Sequence, residues 1–488
     1  MRSRLALFTA LVVLLVPASA AADQTFTVNS VGDGTKVAAG AVCETATPGE
    51  CTVRAAIEAA NADAETDVIA FGPLFDGGSG SAITLGSLLP EPNSPVRIDG
   101  GPCTVAGVEA PCVAIKGVDG FATLSVRANE STVEFIKFEG GSVGLRAFAQ
   151  GGPGSGVKIF RNAFTGVNTA IESTGTIGGS GNLIERNTIE VPFTNGNQRG
   201  ISLRNGPNLV LGNVITGSCC MNAISLDLNA SGNQIGGDDA DSENVINGFN
   251  NGAIAMFGAG ASNNEVRRNR GENGGPFIGF YSGAFSPAAP ALATVTQSSI
   301  SGTADPGAVV RVFRKATEWE GEIAGFLGEA NADINGNWKV SGFAAVPVGT
   351  FVTATQTLDG GTSPLAAAVT AQADPPAPPS GCPAVPSQCP PTPPPAPPAD
   401  TTKPKVTIKK APKAKSTATT AKFVFSANEA GSKFKCKLDK KAFANCGSPK
   451  TYKKLKPGKH VFKVKATDAA GNVSAVVTRS FSVLPPLA

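Results

Sequence analysis

The chain has 488 residues, and its 58 glycines and 6% aromatic content argue against a single large helical core; the length suits about three domains. The formal net charge of +3 hides an uneven distribution of charge along the chain. Residues 403–465 contain nineteen lysines and two acidic residues, which give this segment a net charge of +17. The other 22 basic and 36 acidic residues give −14. Beyond the N-terminal residues no apolar stretch is long enough to cross a bilayer, which excludes a protein with several transmembrane helices.

Residues 1–22 have the pattern of a signal peptide. Arg2 and Arg4 precede an apolar run from Leu5 to Val16, and small residues such as Ala20 follow it. The run is too short for a comfortable membrane span, although an uncleaved anchor is the alternative. We therefore expect a secreted, extracellular or cell-wall-associated product with no membrane span once the signal is removed.

The ten cysteines lie mostly in short-range pairs. In an exported chain this spacing favours loop-closing disulfides over metal sites, because few histidines or clustered carboxylates stand beside them. The expected pairs are Cys43 with Cys51, Cys103 with Cys112, Cys382 with Cys389, and Cys436 with Cys446. Cys219 and Cys220 are adjacent, and the sequence does not assign their pairing.

One short helix is expected near the start of the mature chain, in CTVRAAIEAANA at residues 51–62. Its apolar positions recur at helical spacing along one face, namely Val53, Ala56, Ile57 and Ala60. On the opposite face Arg54 and Glu58 are expected to point into water as an i,i+4 ion pair.

From about residue 157 a pattern of short strands recurs, marked by an asparagine before the second apolar pair of each repeat, at steps of 25, 26, 31 and 25 residues. The markers are Asn162, Asn187, Asn213, Asn244 and Asn269. Such repeats predict a parallel β-helix, with the asparagines stacked as an amide ladder and Ile171, Ile201, Ile224 and Ile254 stacked inside. The open first coil needs a cover, and the short helix is expected to supply it. An ordinary β-sandwich is the structural alternative.

The segments TFTVNS, CTVRAAIEAANA, DVIAF, ITLGSLLP and VRIDGG resemble the bacterial domain named for its CSLREA motif, which precedes right-handed β-helix repeats in secreted and surface proteins. Five residues match the motif region and three depart from it: Cys51, Arg54, Ala56, Ile57 and Asn61 match, whereas Thr52, Val53 and Ala55 differ. The resemblance covers roughly residues 24–280. It implies a right-handed parallel β-helix over 23–288 and an extracellular address, but no particular reaction.

Two further modules and a spacer follow. Residues 289–372 resemble bacterial immunoglobulin-like repeats with a buried Trp338 and a turn that starts at Asp333; the turn residues have a calcium-binding alternative. Residues 373–402 form a proline-rich linker of polyproline II type. Residues 403–488 resemble small immunoglobulin-like or fibronectin-like β-sandwich domains. The expected fold class is therefore all-β, with a capped β-helix and two sandwich modules.

Within the last module, lysines alternate with apolar residues along two predicted strands, so that they line an outward face: Lys433, Lys435, Lys437, Lys463 and Lys465. His460 falls in register with the core positions. This surface should attract anionic cell-wall polymers or polysaccharides in a salt-dependent way, whereas a merely solubilising surface is the alternative. Specific nucleic-acid recognition is disfavoured, since stacking aromatics and arginines are scarce here.

A catalytic role would need a groove on the β-helix, and the best candidates are Glu172, Arg204 and Asp227 on one outward strand face. Arg204 and Asp227 are expected on adjacent coils, about 5 Å apart, as an ion pair. A structural ladder explains this pattern better than catalysis, because no second acid completes a glycosidase pair. The acidic loop at 238–243 is interpreted as a solvated insertion rather than a calcium site. We expect no cofactor and no metal.

These observations favour a secreted, non-catalytic protein that binds anionic surface polymers through its basic C-terminal module. The alternative is a β-helix polysaccharide lyase or glycoside hydrolase that acts on acidic polysaccharide.

Overall fold

The structure, a computed structural model, describes residues 23–76, 82–105, 108–148, 156–175, 181–192, 198–218, 222–227, 229–284, 287–375, 403–413, 415–429, 432–439, 441, 443–468 and 472–484. The predicted signal peptide, Cys219, Cys220, Cys382, Cys389 and nearly all of the proline-rich linker lie outside these residues. The chain forms two compact units, one up to Pro376 and one from Ala377. The first unit contains both the predicted β-helix and the module that follows it.

Residues 25–281 form a parallel β-helix of about seven turns with three sheets, as the repeat predicted. Sheet 1 contains Thr25–Val28, Asp67–Phe71, Val96–Asp99, Thr132–Glu134, Lys158–Phe160, Leu183–Glu185, Leu209–Leu211, Gln234–Ile235 and Glu265–Val266. Sheet 2 contains Ala82–Thr84, Val113–Lys116, Ile136–Glu139, Ala163–Thr165, Thr188–Val191, Val214–Gly217, Asn244–Asn247 and Asn269–Glu272. Sheet 3 contains Ala122–Val126, Val143–Phe148, Thr169–Thr174, Arg199–Arg204, Ile224–Asp227, Ile254–Phe257 and Ile278–Tyr281.

The interior of the β-helix is built from columns of aliphatic side chains. The predicted column is confirmed: Ile171, Ile201, Ile224 and Ile254 are register partners in sheet 3, and all are fully buried. Each residue adds one hydrophobic layer, and every coil depends on the next one to bury its own face.

The predicted asparagine ladder is also confirmed. Each amide nitrogen Nδ2 donates to Oδ1 of the next asparagine, at 3.2, 2.9, 3.0 and 2.8 Å along Asn162, Asn187, Asn213, Asn244 and Asn269. The 31-residue step to Asn244 keeps this register, so the inserted residues 238–243 are accommodated outside the coil. Because all five side chains are buried, these bonds satisfy amides that water cannot reach.

A second asparagine ladder was not predicted. Asn182, Asn208, Asn233 and Asn264 each directly precede a strand of sheet 1, and all four are buried. Asn208 Nδ2 donates to Asn233 Oδ1 at 2.8 Å, and Asn233 Nδ2 donates to Asn264 Oδ1 at 2.8 Å. The recurring asparagine before each of these strands was the sequence signal for it.

The predicted lid is the helix α1, Val53–Ala60, which packs on Thr25–Val28 and Asp67–Phe71 of the first coils. Thr52 caps its N-terminus by accepting a hydrogen bond from Ala55 N at 3.1 Å, and the Cys43–Cys51 disulfide closes the loop before it. The predicted apolar face is buried. A short 3₁₀ helix, Pro73–Phe75, follows the next strand.

The expected pair of Arg54 and Glu58 in water is wrong. Arg54 is only 6% exposed, and its guanidinium pairs with Asp33 at 2.8 Å while it also donates to the Ser87 and Leu88 carbonyls. Glu58 instead accepts a hydrogen bond from the Lys36 amide. The reason is that Arg54 faces the loops that fold over the helix, where the Asp33 carboxylate and three backbone carbonyls accept its hydrogen bonds.

A small hairpin, Pro102–Val105 with Val108–Pro111, projects from the early coils and is closed by the Cys103–Cys112 disulfide. Both disulfide predictions for the first unit within the described residues are therefore confirmed. No helix in the described ranges is long and apolar enough to span a membrane.

The middle module consists of two antiparallel sheets. Sheet 4 contains Ala291–Val295, Ser299–Thr303 and Asn337–Ser341, and sheet 5 contains Val309–Lys315, Gly325–Asn331, Phe351–Leu358, Gly361–Thr362 and Val369–Thr370. Trp338 is buried in its core, as predicted. Asp333 holds the predicted turn, because its Oδ1 accepts the amides of Asn335 and Asn337 at 2.8 Å each.

This module closes the C-terminal end of the β-helix. Its short strand Glu322–Ile323 extends sheet 2 by pairing antiparallel with Asn269–Glu272, and Phe313 and Ile323 join the β-helix core. Thr362 accepts a hydrogen bond from Val266 N at 2.9 Å and donates from its own amide to Asn264 O. The sequence-based division at residue 288 did not anticipate this second cover.

The C-terminal unit has its own core and two sheets. Sheet 6 contains Val406–Lys410, Ala421–Ala427 and Lys450–Tyr452. Sheet 7 contains Lys415–Ser416, Lys433–Leu438, Ala444–Cys446, Gly458–Thr467 and Val477–Val483. Phenylalanines fill the space between the sheets, with Phe423 and Phe462 stacked at a centroid distance of 4.0 Å. The Cys436–Cys446 disulfide joins two adjacent strands, as predicted.

Candidate functional site

The five predicted lysines lie on two adjacent strands of sheet 7, Lys433–Leu438 and Gly458–Thr467. Cys436 and Leu438 alternate with them on one strand, and Val464 and Ala466 on the other, and these apolar residues are buried. Since successive side chains of a strand point to opposite faces, the lysines share the outer face of the sheet. We call Lys433, Lys435, Lys437, Lys463 and Lys465 the lysine face.

The strand register places like charges opposite each other on this face. Lys435 is the register partner of Lys465, and Lys437 is the partner of Lys463. Cβ atoms of such partners lie about 5 Å apart, and like charges in this position are mutually repulsive. An anion that bridges the two strands would relieve this repulsion, so the fold itself concentrates positive potential here.

One aromatic ring lies among these ammonium groups. Lys437 Nζ is 5.0 Å and Lys465 Nζ is 5.2 Å from the centroid of the Phe443 ring. Two cations on one ring hold the lysine stems near the sheet and limit how far the charges spread apart. Phe443 could not be predicted from the alternation, because it lies outside the two alternating strands.

No ion pair within the described part of the chain involves a lysine of this face. Lys433 also borders a shallow depression of about 570 Å³, which is lined by Ser432, Phe434, Asn445, Cys446 and Gly447 as well. The lysine face is thus a set of cations without an ion-pair partner among the described residues, beside a mainly apolar depression. Its positive charge is electrostatically complementary to anionic groups.

His460, the single histidine of the chain, has a structural role close to this face. Its Nδ1 lies 2.8 Å from Asp439 Oδ2, and its Nε2 lies 2.9 Å from the Lys456 carbonyl. The hydrogen bond with Asp439, and then the one with Lys456, raise the pKa of His460. Through these two contacts the His460 ring ties the start of its strand to the end of the neighbouring lysine strand.

The groove candidates of the β-helix are brought together on sheet 3, but as ion pairs. Glu172 is held by two guanidinium groups, from Arg146 at 2.6 Å and from Arg204 at 3.2 Å. Asp227 is held by Arg199 at 2.7 Å and accepts a longer hydrogen bond from Ser202 at 3.3 Å. Both carboxylates therefore have guanidinium partners on the outer surface of sheet 3.

The predicted partners Arg204 and Asp227 are opposite each other in register, yet their side chains bind elsewhere. Arg204 instead pairs with Glu172 on the preceding strand, and Arg199 pairs with Asp227. With this exchange Glu172 has two guanidinium partners and Asp227 has one. Arg146 is the register partner of Glu172 on the preceding strand, which was not included when the candidates were aligned, and Arg199 lies at the start of its strand, away from the candidate positions.

The acidic loop at 238–243 is matched by arginines of the following coil. Arg267 pairs with Asp238 at 2.7 Å, and Arg270 pairs with Glu243 at 3.0 Å. Arg268 donates to the Asp238 carbonyl at 2.7 Å. The described residues contain no cluster of histidine, cysteine or carboxylate side chains suited to a metal ion.

No protein-family model matches this chain, and no curated protein matches it. Several solved structures share local similarity with it. The fibronectin(III)-like modules of Clostridium thermocellum CbhA are 16% identical, over 39% of this chain and 88% of that chain, with a TM-score of 0.17. The BSP domain of a biofilm associated protein is 13% identical over 41% and 30%, with a TM-score of 0.13. The chicken CNTN1 FN1–FN3 domains are 12% identical over 41% and 67%, with a TM-score of 0.16.

Proposed function

We propose that this chain is a secreted, non-catalytic protein that attaches to anionic polymers of a cell surface through its lysine face. The observation that supports this most directly is the placement of Lys435 opposite Lys465 and of Lys437 opposite Lys463, without a neutralising acid among the described residues. Such an arrangement favours repeated phosphates or carboxylates over a single small ligand.

Three features support an extracellular location. The N-terminal residues have the pattern of a signal peptide, three disulfides are formed within the described residues, and the first coils resemble the CSLREA domain of secreted and surface proteins. In this proposal the β-helix is a stable body that carries the basic module.

The test is retention of the full mature chain on immobilised polyglycerol phosphate and polygalacturonate, with dextran as the uncharged control. We expect retention on both anionic polymers and elution between about 0.1 and 1 M salt, because the Debye length falls from about 10 to 3 Å over this range. Lys→Gln changes at all five positions of the lysine face should weaken binding at least about tenfold, since each lysine near an anionic surface contributes on the order of 1 kcal/mol.

The matched control removes the same charge from elsewhere in the unit. Five exposed lysines on or before sheet 6 are changed to Gln: Lys403, Lys405, Lys409, Lys410 and Lys422. This variant should retain most of the binding. Equal loss in both variants would show that net charge alone matters, and full retention by the lysine-face variant would refute the proposal.

A further inference from the structure

A second surface with the character of a binding site lies on the first unit. Where the last β-helix coil meets the middle module, there is a shallow cleft of about 570 Å³. We call it the tryptophan cleft; its lining consists of Asn247, Gly248, Asn250, Glu272, Asn273, Gly274 and Trp319. Trp319 is 47% exposed, although a large aromatic ring is normally buried more completely than this.

The Trp319 ring is held in one orientation. Its indole Nε1 donates to the Asn273 carbonyl at 2.9 Å, and its backbone amide donates to Thr317 Oγ1 at 3.2 Å. The buried carboxylate of Glu322 fixes the start of the same loop, because it accepts the amides of Ala316 and Thr317 at 2.7 and 3.0 Å. A ligand that stacks on the ring would therefore bind a surface that is already ordered.

Gly321 shows how closely this loop fits the β-helix. A Cβ atom at Gly321 would lie 2.3 Å from the Asn273 carbonyl oxygen and 2.4 Å from the Gly275 carbonyl oxygen. The backbone must therefore lack a side chain at this point for Trp319 to reach its place. The exposed ring is a product of specific contacts, not of a loose loop.

Apart from Trp319 and two glycines, the lining consists of polar side chains, namely three asparagine amides and the Glu272 carboxylate. Asn273 is buried, and its side-chain amide already has hydrogen-bond partners. Its Oδ1 accepts a hydrogen bond from Phe249 N at 3.1 Å, and its Nδ2 donates to Ile246 O at 3.0 Å. Asn250 and Glu272 are exposed at the rim and offer an amide and a carboxylate to a ligand. One aromatic face with hydrogen-bonding groups at its edge matches a pyranose ring, which has an apolar C–H face and polar hydroxyls at its periphery.

The charge and the number of aromatic rings narrow the ligand further. Glu272 lines the cleft, and Glu318 and Glu320 flank Trp319 in the chain, so an anionic sugar would be repelled. A quaternary ammonium group is bound by cages of several aromatic rings, whereas this lining contains one. We propose that the tryptophan cleft binds an uncharged hexopyranose unit of a polysaccharide, independently of the lysine face.

Tryptophan fluorescence tests this directly, because the chain has only two tryptophans and Trp338 is 3% exposed. The full mature chain is titrated with cello-oligosaccharides and with N-acetylglucosamine oligomers. We expect a shift in emission and slower acrylamide quenching of Trp319, with a dissociation constant on the order of 1 mM for a single subsite. Oligogalacturonides should produce no such change.

Variants separate the cleft from other surfaces. Asn250→Ala leaves the fluorophore in place and should weaken the association up to about tenfold, and Trp319→Ala should abolish binding measured by calorimetry. Phe121→Ala removes another exposed aromatic of the β-helix and should have no effect, as should the five Lys→Gln changes of the lysine face.

Three results would overturn the proposal. The first is no spectral response to either uncharged series at tens of millimolar. The second is a response to oligolysine but not to saccharides, which would identify a cationic peptide as the occupant. The third is unchanged saccharide binding in both the Asn250→Ala and Trp319→Ala variants.

Discussion

Asn213 lies at the centre of the first asparagine ladder, and its side chain makes four buried hydrogen bonds. Its Nδ2 donates to the Ile184 carbonyl at 2.9 Å and to Asn244 Oδ1 at 3.0 Å. Its Oδ1 accepts both the backbone amide and Nδ2 of Asn187 at 2.9 Å. A single side chain thus joins three successive coils.

Replacing Asn213 with Ala should destabilise the β-helix by at least about 3 kcal/mol, because several buried polar groups lose their partners at once. Urea unfolding of the full chain measures the change. Asn251→Ala, at an exposed position in the same β-helix, is the control and should stay within about 0.5 kcal/mol of the parent. A small loss of stability in the Asn213→Ala variant would mean that water or a neighbouring amide satisfies the polar groups that Asn213 leaves without a partner.

Glu265 joins the β-helix to the middle module through ion pairs. Arg311 of the middle module is only 4% exposed, and its Nη2 donates to Glu265 Oε1 at 2.9 Å, while Arg267 donates to Glu265 Oε2 at 3.0 Å. Burial opposes ionisation of this carboxyl, but the bonds and ion pairs with Arg267 and Arg311 outweigh it, so that its pKa is lowered.

Because the pKa of Glu265 is lowered, the stability of the contact between the middle module and the β-helix depends on pH. A lowered pKa means that Glu265 contributes its full stabilisation above its unfolded value of about 4.3, and that this is lost as the pH falls through the lower folded value. Glu265→Gln should therefore lower the melting temperature at pH 7, and the difference from the parent should shrink below about pH 4. A difference that is constant from pH 7 to pH 3 would contradict this account.

At the level of elements, periodic segments were predicted well and non-periodic ones were not. The isoleucine column, the asparagine ladder and α1 could be read from spacing, because each coil repeats one local geometry. The strand Glu322–Ile323 has only two residues and no apolar alternation, so its pairing with the last coil depends on contacts distant in sequence. The same reason explains Arg54, whose partner Asp33 lies on a loop that no pattern marks.

The candidate sites show the same limit. Alternation located the lysine face, since a strand alone decides which side its residues occupy. It could not supply Phe443 or the exchange of partners between Arg199 and Arg204, because long side chains choose among several neighbours within reach. The tryptophan cleft forms where two modules meet in space, and no sequence pattern links those modules.

In the first unit the β-helix is covered at both ends, by α1 at one end and by the middle module at the other. A fragment of residues 23–284 would expose the edge strand Asn269–Glu272 and the apolar layer that Phe313 and Ile323 now cover. Open edges of this kind recruit other chains.

We therefore expect residues 23–284 to self-associate and residues 23–375 to stay monomeric. Size-exclusion chromatography with light scattering, repeated over a tenfold range of concentration, distinguishes the two fragments. Equal monomeric behaviour and equal melting temperatures would show that the middle module does not protect this end.

The order in which the two covers become available has a consequence for biogenesis. Translation delivers Val53–Ala60 before most of the coils exist, so the leading end can be closed while synthesis continues. Thr362, by contrast, contacts the final coil and emerges roughly a hundred residues after it. Until then the emerging chain exposes the unpaired edge of Asn269–Glu272, through which neighbouring copies that emerge together can pair.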